Sequence, residues 1–244
     1  MRITETAIPG LLIIDLDVHG DNRGWFKENW QREKLTELAP ELASFQPVQN
    51  NISYNHAGAT RGLHAEPWDK LVSVAQGKIF GAWCDLREGS DSFGEVVTHE
   101  VGPETAVFVP RGVANGFQAL EETSYCYLVN EHWSSEARYS AVNLNIVDWP
   151  LEPTEISEKD KQHPALKDVS PMPARRILVT GANGQLGRAL KRLLADAEFC
   201  THADFDITNP PARNWKQYFA IINCAAYNDV NGAESDRAAA RGDR

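Results

Sequence analysis

Long apolar runs are missing from this chain of 244 residues, and with them the length a helix needs to cross a bilayer. The start, Met1-Arg2-Ile3-Thr4-Glu5, lacks the apolar core of a secretory leader and carries an early acid. Cysteine is scarce. Cys84, Cys126, Cys200 and Cys224 are widely spaced, form no Cys-x-x-Cys pair and sit in largely apolar contexts. They read as reduced, buried thiols of a cytoplasmic protein. Positive charge is in deficit: 24 Lys and Arg face 34 Asp and Glu, a formal net charge of -10. That balance argues against nucleic acid or an anionic membrane as partner. An anionic ligand must then be held by a local cluster of Arg and Lys against an acidic background.

What is present falls into two halves of different pattern. From Ala7 to about Trp149 the chain reads as short strands between turn signals. Candidates are residues 11–16, 25–28, 48–53, 71–75, 78–86, 96–101, 106–109 and 125–129. Turns are marked by Gly20-Asp21-Asn22, Asn55-His56-Ala57-Gly58, Gly89-Ser90-Asp91 and Pro110-Arg111-Gly112. Many short, regularly spaced strands favour a mainly β sandwich or barrel over a parallel sheet. One amphipathic helix fits residues 32–38. Residues 150–173 are polar and rich in Pro and charge, which predicts a connector whose first half can still belong to the preceding domain.

At Arg176 the pattern changes. Ile177-Leu178-Val179-Thr180 reads as a buried strand, Gly181-Ala182-Asn183-Gly184-Gln185-Leu186-Gly187 as a glycine turn, and residues 186–194 as a helix. In such a βα unit Gly181, Gly184 and Gly187 let backbone N–H groups approach a pyrophosphate. Ala220-Ile221-Ile222-Asn223 is a further apolar strand, and residues 237–244 form a low-complexity tail.

The most informative residues for function are Arg61-Gly62-Leu63-His64, which set a cation beside a titratable imidazole in the β-rich half. Lys70 follows, opening the apolar run Leu71-Val72-Ser73-Val74. Most lone histidines are structural. One flanked by two fixed cations fits proton transfer on a substrate that carries or develops negative charge.

These residues belong to an ordered series: Asp21-Asn22-Arg23-Gly24-Trp25-Phe26-Lys27-Glu28, Gln49-Asn50-Asn51, Arg61-Gly62-Leu63-His64, Lys70-Leu71-Val72 and Asp85-Leu86-Arg87. Ser92-Phe93-Gly94, Val109-Pro110-Arg111-Gly112-Val113-Ala114-Asn115-Gly116-Phe117, Tyr127 and Asp148-Trp149-Pro150 continue it. With them, residues 5 to 165 resemble the dTDP-4-dehydrorhamnose 3,5-epimerases, which are cupin-type jelly rolls. Residues 176 to about 236 resemble the start of dTDP-4-dehydrorhamnose reductase, an extended short-chain dehydrogenase. There the glycine turn, Asn223-Cys224-Ala225-Ala226-Tyr227 and Gly232-Ala233-Glu234-Ser235 carry the likeness. The resemblance implies a mainly β jelly roll over residues 1–170 followed by a partial Rossmann-like α/β segment over 176–244. It also implies a homodimer acting on a dTDP-sugar.

The implied substrate is dTDP-4-keto-6-deoxyglucose, whose C4 ketone acidifies the C–H bonds at C3 and C5. By resemblance His64 is the base, Asp160 the carboxylate that orients it, Tyr127 the acid on the opposite face, and Lys70 the cation for the enolate oxygen. Arg61 and Arg23 are candidates for the two phosphates, because guanidinium binds phosphate oxygens through paired donors. Gln49 and Asn51, two apart on one strand and so on one face, can address the sugar or the base. Phe26 and Glu28 share a face in a segment that the family uses across a dimer interface. Two positions depart from the family pattern. Asn115 stands where a second histidine is frequent; it can donate a hydrogen bond to the ketone but carries no proton. Ala65-Glu66 stands where an aromatic and Gln are more usual.

Three other readings compete. A metal cupin needs His-x-His and Glu plus a later His; His64-Ala65-Glu66 and Asn115 leave that shell without two ligands. His19, His56, His99, His132, His163 and His202 read as surface or loop residues. A working reductase needs a Tyr-x-x-x-Lys pair, yet Tyr218 and Tyr227 are followed four residues on by Ile222 and Asn231. About 70 residues are also too few for a doubly wound domain. Residues 176–244 therefore read as an inert remnant, with NADP or NAD relevant only if that segment works, and the change of pattern after Asp236 reads as a truncation or altered frame. The third reading is a non-catalytic sugar-nucleotide-binding cupin, which the retained base, acid and enolate cation argue against.

Overall fold

Short strands, the central ones buried on both faces, fold residues 2–141 into two antiparallel sheets and a small ribbon. The computed structural model describes residues 1–194 and 197–226. The chain divides into two units, Met1–Pro173 and Ala174–Arg244. The first unit contains β1 (Arg2–Glu5), β2 (Leu12–Asp15), β3 (Val18–Asp21), β4 (Gly24–Lys27), α1 (Arg32–Leu38), β5 (Gln49–Asn55), β6 (Thr60–Ala65) and β7 (Lys70–Gln76). It continues with β8 (Ile79–Asp85), β9 (Val96–Val101), β10 (Thr105–Val109), β11 (Val113–Ala119), β12 (Thr123–Val129), β13 (Ser140–Ala141) and α2 (Glu158–Lys161). A six-stranded sheet runs in the order β1-β2-β10-β7-β12-β5, and a five-stranded sheet in the order β13-β6-β11-β8-β9. This is a mainly β sandwich of jelly-roll type. β3 and β4 pair only with each other, as a two-stranded ribbon.

Three apolar layers hold this unit together. The central one draws Ile13, Val72, Val74, Trp83, Val107 and Phe117 from both sheets. A second covers the other face of the six-stranded sheet, where Leu35, Leu42 and Phe45 pack on Leu12, Ile14 and Phe108. Phe45 meets both Trp30 and Phe108 edge-on, at 5.2 and 5.4 Å between ring centroids. A third covers the other face of the five-stranded sheet, where Val142, Leu144, Val147 and Met172 pack on Leu63, Ala82 and Ala114. Strands sandwiched in this way are buried on both sides, which is why Leu71-Val72-Ser73-Val74 reads as a run and not as an alternation.

The third layer corrects the sequence reading of residues 150–173. They form no connector. Met172 is 1% exposed, its N–H donates to Leu86 O at 2.7 Å, and it accepts from Glu88 N at 2.8 Å. The stretch belongs to the first unit, which accords with the expectation for its first half and corrects it for the second. Strands β1, β3, β6, β11 and β13 were also absent from the sequence expectation, whereas α1 and β9 have the expected bounds. β6 and β11 carry Gly62 and Gly116, residues that weaken a strand pattern, and the structure explains both. Gly62 has φ +117°, and a Cβ there would stand 2.5 Å from the Cα of Gly116. Only glycines let β6 and β11 approach so closely.

In the second unit β14 (Arg176–Thr180) pairs in parallel with β15 (Glu198–Cys200) on one side and β16 (Tyr218–Asn223) on the other, with α3 at Gln185–Leu190. β15 was not expected, and α3 closes four residues earlier than the sequence pattern proposed. Beyond Leu190 the chain tightens, Arg192 N donating to Ala189 O and Leu193 N to Leu190 O. The glycines of the turn have packing reasons: a Cβ on Gly181 would meet Ala225 N at 2.5 Å, and one on Gly187 would meet Gly181 O at 2.5 Å. Phe219 and Ile221 on β16 remain 70% and 53% exposed. Tyr227, residues 232–235 and the tail at 237–244 lie outside the described residues. All four cysteines are free thiols, and Cys224 is half-buried, not buried as expected. Among the described residues no helix is long and apolar enough to cross a membrane.

One buried ion pair anchors the third layer. Asp85, fully buried, accepts from Arg87 Nη2 at 2.6 Å, Arg87 Nε at 2.8 Å, Ser90 Oγ at 2.7 Å and Ser92 Oγ at 2.6 Å. Burial alone would push its carboxyl up; the donors outweigh burial and bring it down to about 2. A carboxylate whose pKa is depressed by folding contributes stability above its unfolded value and loses it as pH falls through the folded one. Asp85→Asn is expected to lower the unfolding free energy at neutral pH by about 2 kcal/mol or more. It should also flatten the loss of stability between about pH 4 and pH 2. Urea titrations of both proteins across that range measure the difference.

Candidate active site

β6 delivers His64 to the rim of a cavity of about 700 Å³. In register, His64 lies opposite Asn115 on β11 and Ala141 on β13. Its Nε2 is 2.8 Å from Asp160 Oδ1 across 96 residues of chain. Asp160 comes from α2, a single helical turn whose N-cap Ser157 accepts the Asp160 N–H at 3.1 Å. The second carboxylate oxygen accepts the Gly62 N–H at 3.1 Å. Burial would raise the Asp160 carboxyl; the bonds from His64 and Gly62 outweigh it and hold it below the usual value. An ionised carboxylate only accepts, so it assigns the imidazole proton to Nε2 and leaves the lone pair on Nδ1. This orientation of a basic nitrogen is what a general base requires.

Across the same cavity stand Lys70 and Tyr127, neighbours on paired strands β7 and β12. Lys70 is 6% exposed, and its Nζ lies 5.3 Å from the centre of the Tyr127 ring. It forms an ion pair with Glu66, also inside the cavity. Burial raises the phenol of Tyr127 above its ordinary value, Glu66 adds to the effect and Arg61 opposes it. A phenol held in its protonated form can donate, and a buried ammonium can balance a developing oxyanion. Tyr125 shares the face of Tyr127, as period-two alternation required, with ring centroids 5.8 Å apart.

The other expected residues divide into two groups. Arg61, Asn51 and Asn115 line the same cavity. Arg61 Nε donates to Asn55 Oδ1 at 2.8 Å. Gln49 donates to Asn51 at 2.9 Å and opens onto an adjoining cavity of about 530 Å³, where Trp68, Trp133 and Tyr139 supply aromatic walls. Both cavities are lined by Asn51, His64, Glu66, Tyr127 and Lys159. Asn115 is largely engaged with protein: Trp83 Nε1 donates to its Oδ1 at 2.9 Å, and its Nδ2 donates to Tyr125 OH at 3.1 Å. Arg23, Phe26 and Glu28 lie elsewhere in this chain. Arg23 pairs with Asp21 at 2.5 Å on the β3–β4 ribbon, Phe26 is 64% exposed, and Glu28 pairs with Lys34.

Sequence reasoning missed two residues. His163 was read as a surface or loop histidine, but its side chain is 7% exposed and its ring stands edge-on to that of His64 at 5.0 Å. The available signal was position: three residues after Asp160 at a helical turn, hence on the same face. Burial and the nearby His64 lower the pKa of His163. Glu66 was noted only as a departure, whereas it is the partner of Lys70; a spacing of four residues was its only signal. The other five histidines, His19, His56, His99, His132 and His202, are exposed as read. Among the described residues, His64, Asp160 and His163 are the group that brings donor atoms for a metal together, all within 4.8 Å of one another.

Known proteins are similar to this chain. The family model described as dTDP-4-dehydrorhamnose 3,5-epimerase matches residues 5–168, and one described as RmlD substrate binding domain matches residues 175–242. An RmlC homolog from Streptococcus pyogenes serotype M6 is 51% identical over 176 residues, covering 68% of this chain and 89% of that protein. The dTDP-4-dehydrorhamnose 3,5-epimerase of Pseudomonas aeruginosa is 34% identical over 184 residues, 71% of this chain and 100% of the relative. RmlC from Streptococcus suis, solved in complex with dTDP-D-xylose, aligns with a TM-score of 0.66 at 47% identity, covering 70% of this chain and 94% of that one.

The Glu66–Lys70 pair has two measurable consequences. Removing the carboxylate leaves a buried ammonium unpaired, so Glu66→Ala is expected to cost about 3 kcal/mol or more of stability. Glu66→Gln, which keeps an accepting oxygen, should cost less. Because the charge of Glu66 helps to raise the Tyr127 phenol, Glu66→Gln should also let Tyr127 ionise at lower pH. Tyrosinate absorbance, taken as the difference from a Tyr127→Phe background, reads that shift; an unmoved titration would separate the two residues.

Proposed function

Because this chain belongs to the dTDP-4-dehydrorhamnose 3,5-epimerase family, we propose that it inverts C3 and C5 of dTDP-4-keto-6-deoxyglucose. The product is dTDP-4-keto-L-rhamnose, an intermediate of dTDP-L-rhamnose synthesis. The observation that carries the reading is the 2.8 Å bond from His64 to a buried Asp160 in the cavity that also holds Lys70 and Tyr127.

The chemistry follows from those groups. The C4 ketone withdraws electrons from the C–H bonds on either side. His64 Nδ1 takes the proton from C3, the C–H electron pair moves to form the enolate, and Asp160 stabilises the imidazolium. Lys70 balances the charge on the enolate oxygen. Tyr127 returns a proton to the opposite face, and exchange with solvent restores neutral His64 and the phenol before the same sequence at C5. No step calls on a metal or a nicotinamide, so we assign none to epimerisation. Arg61 is suited to a phosphate, Gln49 and Asn51 to the sugar or the base, and Asn115 offers the substrate its remaining amide hydrogen.

We further infer a homodimer. Trp25 and Phe26 on the β3–β4 ribbon are 48% and 64% exposed, and Ile52 and Tyr54 on the edge strand β5 are 69% and 60% exposed. Apolar surface on an unpaired ribbon and an open sheet edge favours a second copy as its cover. That arrangement gives Arg23, Phe26 and Glu28 a role at a neighbour's site. We assign the epimerase to residues 1–170 and no hydride transfer to residues 176–244, where the Tyr-x-x-x-Lys pair is missing. Four free thiols accord with the cytoplasm.

Incubation with the 4-keto sugar nucleotide in deuterated water tests the reaction. Deuterium at both C3 and C5 is expected; at one position only, the enzyme is a mono-epimerase, and at neither, it is a sugar-nucleotide binder. His64→Ala is expected to remove exchange while retaining most nucleotide affinity, and full exchange in that variant would take His64 out of the mechanism. NADPH oxidation with the epimerised product is expected to be absent, and clear turnover would overturn the assignment of residues 176–244.

A further inference from the structure

His163 is an imidazole that the epimerase chemistry leaves idle, and burial makes idleness costly. Its side chain is 7% exposed, and among the described residues neither ring nitrogen meets a partner in good hydrogen-bond geometry, the Gly62 backbone being close enough only to oppose the fall of its pKa. Nε2 stands 3.7 Å from Asp160 Oδ1, beyond hydrogen-bond reach. The same Oδ1 lies 2.8 Å from His64 Nε2. One carboxylate oxygen is thus flanked by two imidazole nitrogens, with all three donor atoms within 4.8 Å of one another.

Those separations suit a small divalent ion. Bonds of about 2.0–2.2 Å in a tetrahedron place donors about 3.4 Å apart, between the two distances found here. Two imidazoles and one carboxylate are a donor set for zinc and its neighbours in the first transition row. The support behind them is in place too: Asp160 Oδ2 is held by the Gly62 N–H, which leaves Oδ1 for the ion. Asp160 and His163 are buried whereas His64 is 36% exposed at the cavity, so a fourth position would open onto the cavity. This is not the cupin shell that the sequence excluded. It uses His64 but takes its other two ligands from the segment that wraps the sheet.

We propose that His64, Asp160 and His163 form a binding site for a divalent transition metal of the zinc class, and that metal bound there holds the enzyme off. The inhibitory half rests on the epimerase reading; the binding half does not. A neutral imidazole that gives Nε2 to a metal carries its proton on Nδ1. The metal therefore moves the proton of His64 from Nε2 to Nδ1, the atom that must accept one from substrate, and it takes Asp160 away from the imidazolium.

Titration of the full-length chain with Zn²⁺ against a chromogenic chelator tests binding. One site per chain is expected, weakened about ten-fold or more in His163→Gln. Absence of that site, or equal affinity in the variant, overturns the proposal. Co²⁺ supplies a readout that needs no variant: the intense visible bands of a four-coordinate ion are expected, and only the weak bands of an octahedral surface ion would contradict the site. Deuterium exchange tests inhibition. Zn²⁺ should suppress exchange and EDTA restore it, with the inhibition curve of His163→Gln, scaled to its own metal-free rate, displaced by the same factor as its affinity. Binding that depends on His163 yet leaves exchange untouched would sink the inhibitory half. No exchange even without metal, beside intact His163-dependent binding, would overturn the epimerase reading and leave the site standing.

Discussion

A hydrogen bond that spans 96 residues of sequence, from His64 to Asp160, depends on how the five-stranded sheet is covered. One face of that sheet packs on its partner sheet; the other would be open without residues 142–172. Val142, Leu144, Val147 and Met172 close it, and in doing so carry a single turn of helix over the start of β6. Asp160 then bonds the Gly62 N–H with one oxygen and His64 with the other. Folding and chemistry meet in this carboxylate. It satisfies a buried amide that the tight β6–β11 approach would otherwise leave unpaired, and it fixes the tautomer of His64, the base of the proposed mechanism. The Asp85–Arg87 cluster pins the end of the wrap, since Arg87 bridges to Met172.

Much of the sandwich was legible because strand and helix patterns were local. α1 could be read to the residue, with an apolar stripe ending at a proline, and β9 likewise. β6 and β11 escaped because their defining feature is contact between two backbones, visible only as glycines in a strand. The wrap escaped for another reason. Its buried residues follow no period, and its polar composition is that of a linker, yet backbone hydrogen bonds at Leu86, Glu88 and Met172 tie it down. His163 was lost with it. A histidine in a supposed loop has no signal until the turn of α2 is known to face β6.

Asn115 and Glu66, where the resemblance implied other residues, line the same cavity. At 115 the amide bonds Trp83 and Tyr125, the latter stacked on Phe117 at 4.2 Å, which leaves one N–H that these bonds do not use. At 66 a carboxylate adds negative charge beside the one buried lysine that faces the substrate in the proposed mechanism. A pre-paired ammonium costs less to bury than a bare one, but it offers less field to an enolate. For Lys70 to serve the transition state, its attraction to the new oxyanion must outweigh its hold on Glu66. Burial, and after it the charge of Glu66, also raises the Tyr127 phenol, so the carboxylate makes that group a weaker proton donor as well.

The proposed diphosphate substrate needs cations where its phosphates would lie, and the cavity offers few of them. Within the cavity Lys70 is paired with Glu66, and His64 with Asp160, which leaves Arg61 and the exposed Lys159 as the cations at hand. Glu155 lines the same cavity and offsets part of their field. With a net charge of -10 the chain as a whole repels such a ligand. Arg23 lies on a ribbon that, among the described residues, pairs with no other strand, and its guanidinium pairs with an exposed aspartate, the kind of pair that exchanges partners at little cost. Transfer of that guanidinium from Asp21 to a phosphate in a neighbouring subunit would supply the missing charge and cover the apolar face of the ribbon in one step. In the proposed dimer, the need for a second cation at the diphosphate adds to the argument from apolar area.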